Sequence, residues 1–340
     1  MSGSGDAAAP HVVEDFYGVV KLLSDGSVVR GDESILVAPV ELPYQDVPGV
    51  AVQWKDIVYD ATHGLKVRIY TTPTSMTTTA ADDGGNLLPV LVYFHGGGYC
   101  LGSPEQSVFH GFCLRAAHEL PAVVLSVQYR LAPEHRLPAA IDDGAAFLSW
   151  LRGQAVLGAG ADPWLVKSAD FSRTFISGLS AGGNLAHHVT VRVGSGEVAV
   201  DPVRVVGYVP IDAFFGGVER TASEAGLSDG VKMGDQLWRM ALPVDATRDH
   251  PLANPFGPES PGLESVALPP ALVVASGGDV LYDRVVDYAA RLKEMGKEVE
   301  LVEFEGAKHG FSAVEPSSPA TEEFIRILKR FVHQGGAPPS

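Results

Sequence analysis

A serine between two glycines is the first feature of this sequence that could carry chemistry. The segment Gly178–Gly182 reads GLSAG, and glycines in this pattern allow a sharp strand-to-helix turn that exposes the serine hydroxyl as a nucleophile. The pattern occurs twice, because Gly226–Gly230 reads GLSDG. Only the first copy follows a strand-like run and opens a helix-like one, whereas polar residues precede the second. We therefore take Ser180 as the candidate nucleophile and Ser228 as a chance match.

A hydroxyl nucleophile needs a base, and the base needs an acid that orients it. In hydrolases with this turn the order along the chain is Ser, then Asp or Glu, then His, each just after a strand. Asp279 and His309 follow Ser180 in this order, and each comes shortly after an apolar, strand-like run. The sequence thus predicts a triad of Ser180, Asp279 and His309. Asp283 is the alternative acid, although a helix cap or a surface position suits it better.

Acyl transfer by a serine also requires amide donors for the oxyanion of the tetrahedral intermediate. The run His95–Tyr99 reads HGGGY and follows the strand-like segment Val90–Phe94. The amides of such a glycine-rich loop can point inward and, together with the amide of Ala181, complete an oxyanion hole. In isolation the same run would be interpreted as a tight glycine turn.

The chain must bring these loops to one edge of a sheet. From residue 90 onward, short β-branched runs alternate with segments of helical periodicity, which predicts an α/β fold with a mostly parallel sheet and helices on both faces. Two earlier runs, 52–59 and 65–70, alternate apolar with polar residues and predict an antiparallel hairpin at the sheet edge. Residues 71–86, rich in Thr, Ala, Asp and Gly, predict a mobile surface loop. We expect a single domain over residues 1–340.

Two regions interrupt the alternation, residues 1 to about 50 and residues 212–257. Neither has a clear sheet pattern, and both could form a cap over the edge where open α/β sheets bind ligands. Ordinary surface helices that cover the core are the alternative. A mobile cap of this kind would shield the site from water and select an apolar substrate. The aromatic residues that we expect to contact this substrate are Phe16, Tyr99, Phe215, Trp238 and Phe311.

The composition limits the classes of function. The 340 residues include 25 Lys and Arg against 41 Asp and Glu, for a net charge of −16, and this acidity argues against nucleic-acid and membrane partners. Cys100 and Cys113 are too few for a disulfide scaffold and lack nearby metal-type partners. The start of the chain shows no secretory signal, and the longest apolar runs, about six residues, are too short to span a membrane. We expect a cytoplasmic, or also nuclear, monomer or homodimer that acts on a small-molecule ester without a metal or cofactor.

Together the motifs resemble the hormone-sensitive-lipase-like branch of the α/β-hydrolases, and the resemblance covers nearly the whole chain. The N-terminal segments Val12–Gly18 and Ser24–Arg30 are similar to plant carboxylesterases of that branch, and Ala246–Pro258 is similar to the plant subgroup called carboxylesterase 15. The motifs shared with the branch are His95–Gly98, Tyr129–His135, Gly178–Gly182, Asp279–Asp283 and His309–Phe311.

The resemblance implies an α/β-hydrolase fold, the same triad, and Gly97, Gly98 and Ala181 as oxyanion donors. In one position the chain departs from the family, because Leu179 stands where the family usually has Asp. Leu179 flanks the nucleophile without joining the triad, so the departure concerns the local support of the turn.

The expected function is that of a serine carboxylesterase that works through an acyl-enzyme. Resemblance to the carboxylesterase 15 subgroup suggests a plant hormone ester or a lactone such as a strigolactone as its substrate. A non-catalytic hormone receptor is the first alternative, because the gibberellin receptor resembles the same branch. That receptor lacks the triad histidine, which is present here as His309. A dehydratase or transacylase that uses the same site is the second alternative.

Overall fold

The computed structural model describes residues 9–44, 52–72, 87–226 and 228–334. Its first element is an antiparallel sheet of three strands, β1 (Val12–Phe16), β2 (Val20–Leu23) and β3 (Val28–Arg30). The prediction that this region lacks a sheet pattern is wrong. The missed signal is turn chemistry, because Gly18 and Gly26 take positive φ values of 75° and 85° between the strands. Glycine adopts this backbone without the penalty of a Cβ.

The central sheet has eight strands in the order β11-β10-β9-β8-β6-β7-β5-β4. Strands β4 and β5 form an antiparallel hairpin at one edge, β5 also pairs antiparallel with β7, and the remaining pairs are parallel. The predicted mostly parallel sheet and its edge hairpin are confirmed. Most of the predicted loop 71–86 lies outside the described residues. The strands are β4 (Gln53–Asp60), β5 (Leu65–Thr71), β6 (Leu88–Phe94), β7 (Val123–Val127), β8 (Ala169–Leu179), β9 (Val205–Ile211), β10 (Ala271–Ser276) and β11 (Val299–Phe304).

Helices cover both faces of this sheet. Side chains of β10 show the two-sided burial, because Leu272 and Val274 belong to one hydrophobic cluster while Val273 and Ala275 belong to the other. Strands buried on both faces are typical of parallel sheets. Two 3₁₀ turns occupy Glu33–Ile35 and Gly158–Gly160. The helices are α1 (Ser107–Glu119), α2 (Ala139–Leu157), α3 (Pro163–Ser168), α4 (Ala181–Gly194), α5 (Ala222–Gly226), α6 (Ser228–Ala241), α7 (Tyr282–Glu294), α8 (Phe311–Val314) and α9 (Pro319–His333).

The N-terminal sheet packs against α6. Arg239 forms an ion pair of 2.6 Å with Glu14, and Gln236 Nε2 donates to Asp15 O at 2.9 Å. On the other side of the small sheet, Arg30 binds Glu134 with its guanidinium. The contacts of Glu14 and Asp15 with α6 join the two regions that were predicted to form a cap. Of that expected cap, residues 1–8, 45–50 and 227 lie outside the described part of the chain.

Candidate active site

Ser180 lies in a strained turn between β8 and α4. Its backbone has φ 56° and ψ −117°, a combination that non-glycine residues adopt only where the surroundings enforce it. Phe214 N donates to Ser180 O at 2.9 Å and holds the turn against the segment after β9. Glycine is required on both sides, because a Cβ at Gly178 would lie 2.1 Å from Gly182 O and one at Gly182 would lie 2.0 Å from Phe94 O. The GLSAG pattern therefore folds as the sequence predicted.

Asp279 and His309 lie on neighbouring loops, after β10 and β11. Nδ1 of His309 donates to Asp279 Oδ2 at 2.5 Å, and Leu281 N donates to the other oxygen of Asp279 at 3.1 Å. Asp279 is buried, whereas the side chain of His309 is 39% exposed, so the ring is open on its far side. Burial disfavours the imidazolium, but the carboxylates of Asp279 and Asp212 outweigh it and raise the pKa of His309 to about 9.

The rival residues named from the sequence lie elsewhere. Asp283 Oδ2 accepts from Ser223 N at 2.7 Å, at the start of α7, and not from His309. Ser228 begins a helix that follows another helix, so the GLSDG segment has no strand before it. Asp279 is thus the acid beside the histidine, and Ser180 is the serine in a strand-to-helix turn.

The glycine-rich loop after β6 lies beside Ser180. A Cβ at Gly96 would stand 3.3 Å from Ser180 Cβ. Across the described ranges, the amides of Gly97, Gly98 and Ala181 donate no hydrogen bond to another protein group. Gly97, Gly98 and Ser180 line the same cavity. The loop and the start of α4 therefore offer unpaired amide donors next to the hydroxyl, which is the requirement of an oxyanion hole.

Buried aromatic residues hold this loop in place. Tyr99 OH donates to Asn184 Oδ1 of α4 at 2.5 Å, and Tyr129 OH donates to His95 O at 2.7 Å. The rings of Tyr129 and His95 stack with their centroids 4.2 Å apart. Burial lowers the pKa of His95 to about 4, so its ring is neutral at physiological pH. The hydroxyl of Tyr99 thus ties the loop to the helix after Ser180, and contact of Tyr99 with substrate stays a prediction.

Ser180 and His309 open onto one cavity of about 290 Å³. Its wall is apolar apart from Glu33 and Gln106, whose polar groups are hydrogen-bonded to each other. Phe16 of the N-terminal sheet and Met233 and Leu237 of α6 form part of its wall. A cavity of this size and lining suits a small apolar group. The apolar lining residues besides glycine are Phe16, Leu36, Val37, Leu101, Val108, Phe109, Leu179, Met233, Leu237, Ala313 and Val314.

Of the five aromatic residues expected at the substrate, only Phe16 lines this cavity. Trp238 stacks on Phe214 with ring centroids 4.2 Å apart. Phe215 packs on Tyr288 of α7, and Phe311, the first residue of α8, packs on Phe304 in the core. Phe215, Trp238 and Phe311 therefore lie away from the cavity wall, and their contact with substrate stays a prediction. A sequence position near a motif does not tell which way a side chain points, and these large rings are buried where they fill the core.

One acidic residue beside the site was missed from the sequence. Asp212 follows β9 directly, and its carboxylate is buried next to Asp279 and His309. The signal was available, since an aspartate just after a buried strand is the pattern that identified Asp279. Oxygen atoms of the two carboxylates and a ring nitrogen of His309 lie within 4.8 Å of one another. Such a set could hold a cation, which would compete with the hydrogen bond between His309 and Asp279.

Two further features bear on the chemistry. Cys100 and Cys113 are buried, and burial raises the pKa of each thiol to about 12, so neither forms a thiolate nucleophile at neutral pH. The nucleophile candidate therefore remains the hydroxyl of Ser180.

Within the described residues, every helix is too short or too polar to cross a lipid bilayer.

Known proteins are similar to this chain over most of its length. A family model of the alpha/beta hydrolase fold matches residues 91–313. The 3-O-acetylpapaveroxine carboxylesterase CXE1 of Papaver somniferum is 36% identical over 287 residues, which cover 82% of this chain and 87% of that protein. The gibberellin receptor GID1 of Oryza sativa subsp. japonica is 38% identical over 298 residues, with 82% and 80% covered. The structure of EstE1, a carboxylesterase from a metagenomic library, superposes with a TM-score of 0.67 at 28% identity and covers 88% of this chain and 92% of its own.

Proposed function

The chain belongs to the α/β-hydrolase family, in the branch of the plant carboxylesterases, and it is a carboxylesterase; we propose that it cleaves its ester through an acyl-enzyme formed on Ser180. The observation that carries this proposal is the hydrogen bond between His309 and Asp279 in a cavity that Ser180 also lines. A serine, an oriented base and unpaired amides around one space are the parts that acyl transfer requires.

In the first half of the reaction, Ser180 Oγ attacks the carbonyl carbon of the ester and its proton passes to Nε2 of His309. Nε2 is the available nitrogen, because Nδ1 donates to Asp279. The oxyanion accepts hydrogen bonds from the amides of Gly97, Gly98 and Ala181. Removal of one such donor in a serine protease costs about 2.7–4 kcal/mol of transition-state stabilisation. The imidazolium then protonates the leaving alcohol, and the acyl group stays on the serine.

In the second half, water repeats the steps on the acyl-enzyme. His309 takes a proton from the water, and the resulting hydroxide adds to the acyl carbonyl. As the tetrahedral intermediate collapses, the imidazolium returns that proton to Ser180 Oγ, which leaves as the free hydroxyl together with the carboxylic acid product. The base must be neutral at the start of each half. Because the pKa of His309 is raised to about 9, the rate of both halves increases as the pH rises toward that value.

The substrate that we propose is a small apolar ester or lactone, of the type of a plant hormone such as a strigolactone. The apolar wall of the cavity supports it, since burying an unpaired charge there would cost several kcal/mol. The carboxylate of Glu33 at the same wall accepts from Gly102 N at 2.9 Å and would also repel an acidic substrate. The cavity of about 290 Å³ limits the size of the group that is enclosed.

We also propose that the chain is a single domain whose cap is built from residues 1–50 and 212–257. Phe16 from the first region and Met233 and Leu237 from the second line the cavity together with Ser180, which supports this division. The cap would exclude bulk water from the acyl-enzyme and contribute the apolar contacts to the substrate.

The test is hydrolysis of p-nitrophenyl butyrate by purified Ser180→Ala. We expect kcat to fall by at least about 10³-fold with an unchanged thermal unfolding curve, because no other group replaces the nucleophile. Ser228→Ala is the matched control, since it removes the serine of the GLSDG segment, and it should keep the wild-type rate. Activity of Ser180→Ala within tenfold of the wild type would refute the proposed mechanism.

The same variant separates the esterase from a hormone receptor. A receptor binds its ligand without turnover, so the wild type would then hydrolyse no member of a panel of apolar esters and lactones. Turnover by the wild type and its loss in Ser180→Ala would identify the substrate class, and trapping of the acyl group on Ser180 by mass spectrometry would establish the intermediate.

A further inference from the structure

The carboxylate of Asp212 connects the two loops that carry Asp279 and His309. Its Oδ2 accepts from Ser276 Oγ and from Gly310 N, each at 2.9 Å. Ser276 is the last residue of β10, three residues before Asp279, and Gly310 follows His309 directly. A single buried oxygen thus binds both loops.

The second oxygen of Asp212 has a different environment. Oδ1 is buried and has no hydrogen-bond partner in the described part of the chain. An unpaired buried acceptor is uncommon and calls for a physical explanation. The explanation lies in its neighbours, because Asp212, Asp279 and His309 each place a polar atom within 4.8 Å of the other two. The imidazole of His309 therefore lies close to two carboxylates.

Few charged groups face Asp212. Burial is the largest influence on its pKa and raises it, the charge of Asp279 raises it further, and His309 lowers it, with a net result of about 6. Ser276 from β10 and the amide of Gly310 are uncharged donors. The first turn of α4, residues 181–184, and the short helix α8 contain no ionisable side chain. Asp212 is therefore ionised at the pH where a serine esterase works.

We propose that Asp212 is a positioning residue of the esterase reaction, which holds the His309 loop against Asp279 and supplies a second negative charge to the imidazolium. This inference rests on the proposed function, because it concerns the proton that His309 receives from Ser180. As that proton arrives, the ring becomes a cation, and a carboxylate within a few ångströms stabilises it. Asp212 is absent from the described residues that line the cavity, so it acts through His309 and not on the substrate.

Leu179, the residue before Ser180, offers no polar group to the His309 loop. In the related family the residue before the serine is usually Asp, but here it is Leu179. A Cβ at Gly310 would lie 3.6 Å from Leu179 Cδ2, so the leucine side chain packs beside the His309 loop without a hydrogen bond to offer. The polar contact to Gly310 N comes from Asp212 instead.

The experiment compares Asp212→Asn and Asp212→Ala with the wild type. The kcat and KM for p-nitrophenyl butyrate are measured between pH 5 and 10, and thermal unfolding is followed by circular dichroism. The rise of kcat/KM with pH on the acidic side of the profile is called the acid limb. In Asp212→Asn this limb should move to lower pH by about one unit, because loss of a charge near the ring lowers the pKa of His309. The amide still offers an oxygen to Gly310 N, so kcat above the limb should fall less than in Asp212→Ala.

In Asp212→Ala both the charge and the tether are lost. We expect the same shift of the limb and a fall of about 10²-fold in kcat, since misplacement of a catalytic group by about 1 Å has this effect. The KM should stay within threefold of the wild type, because the side chain does not reach the cavity. Asp283→Asn is the matched control, since its carboxylate also follows β10 but binds Ser223, and its acid limb should stay in place.

The outcomes separate this inference from the proposed function. Wild-type activity that survives in Ser180→Ala would overturn the proposed function itself. If Ser180→Ala is inactive but both Asp212 variants keep the wild-type limb and kcat, the positioning role is refuted while the esterase mechanism stands. A lower unfolding temperature with an unmoved limb and unchanged kcat would likewise refute it and leave Asp212 a purely structural residue.

Discussion

The closest contact between the cap and the glycine-rich loop leads to a quantitative prediction for Gly98→Ala. Gly98 has φ +59°, and a Cβ there would lie 2.5 Å from Leu237 Cδ1 and 2.9 Å from both Cδ2 and Cγ of the same side chain. An ordinary carbon–carbon contact is about 3.5 Å, so the loop, α6 or the side chain of Leu237 must move by about 1 Å. Gly98 is a proposed oxyanion donor, and a shift of this size costs about 10²-fold in kcat.

The steric part of this effect is separable from backbone strain. A non-glycine residue in the left-handed region costs roughly 1–2 kcal/mol, and Gly64→Ala measures that cost alone, because Gly64 has φ +67° with no atom within 4 Å of a Cβ. We expect Gly64→Ala to lower the free energy of unfolding by about this amount and to leave kcat unchanged. In the double variant Gly98→Ala/Leu237→Ala the clashing atoms are gone, so most of the lost kcat should return.

The assay is steady-state hydrolysis of p-nitrophenyl butyrate by the wild type, Gly98→Ala, Leu237→Ala and the double variant, analysed as a double-mutant cycle. Leu237→Ala alone is measured in the same series, because Leu237 lines the cavity and its truncation changes KM. If kcat of Gly98→Ala stays within threefold of the wild type, the position of this amide does not matter for the reaction. If the double variant is as slow as Gly98→Ala, contact with α6 is not what displaces the loop.

Two further predictions concern the acid and the cap. Asp279→Asn should lower kcat by about 10⁴-fold, the effect of removing the orienting acid in a serine protease triad, whereas Asp283→Asn should stay near the wild type; equal losses in the two variants would contradict the assignment of the acid. Deletion of residues 1–35 removes Phe16 from the cavity and Glu14 from its ion pair with Arg239, so KM across a series of p-nitrophenyl esters should rise and chain-length selectivity should weaken more than the unfolding temperature falls. Identical kinetics across the series would show that the N-terminal sheet only covers the core.

The order of the chemistry along the chain could be predicted because it depends on local sequence. A Cβ at position 178 or 182 would lie about 2 Å from a backbone oxygen, so the glycines of the motif already indicate the tight turn around Ser180. Asp279 and His309 were found because each follows a strand, and parallel strands bring their carboxyl ends to one edge. The same local logic recovered the edge hairpin and the alternation of strands and helices.

The N-terminal sheet illustrates where local pattern was insufficient. Its strands are only three to five residues long, and they are stabilised by packing against α6 and by Arg30, whose partner Glu134 is 104 residues away. Short strands with exposed outer faces have little periodicity of their own. Their glycine turns at 18 and 26 were the local signal, and their position over Ser180 follows from distant contacts.

What the sequence by itself determined is the type of reaction: a serine in a glycine turn, a histidine and an acid in order, and a glycine-rich loop with amide donors. What only the tertiary structure decided is which side chains surround those groups. Tyr99, Phe215, Trp238 and Phe311 turn into the core, while Met233 and Leu237 of α6 reach the cavity. Asp212, 98 residues from Gly310, binds its amide. The direction of a side chain and the meeting of distant loops depend on how the elements pack against one another, and no local pattern contains that information.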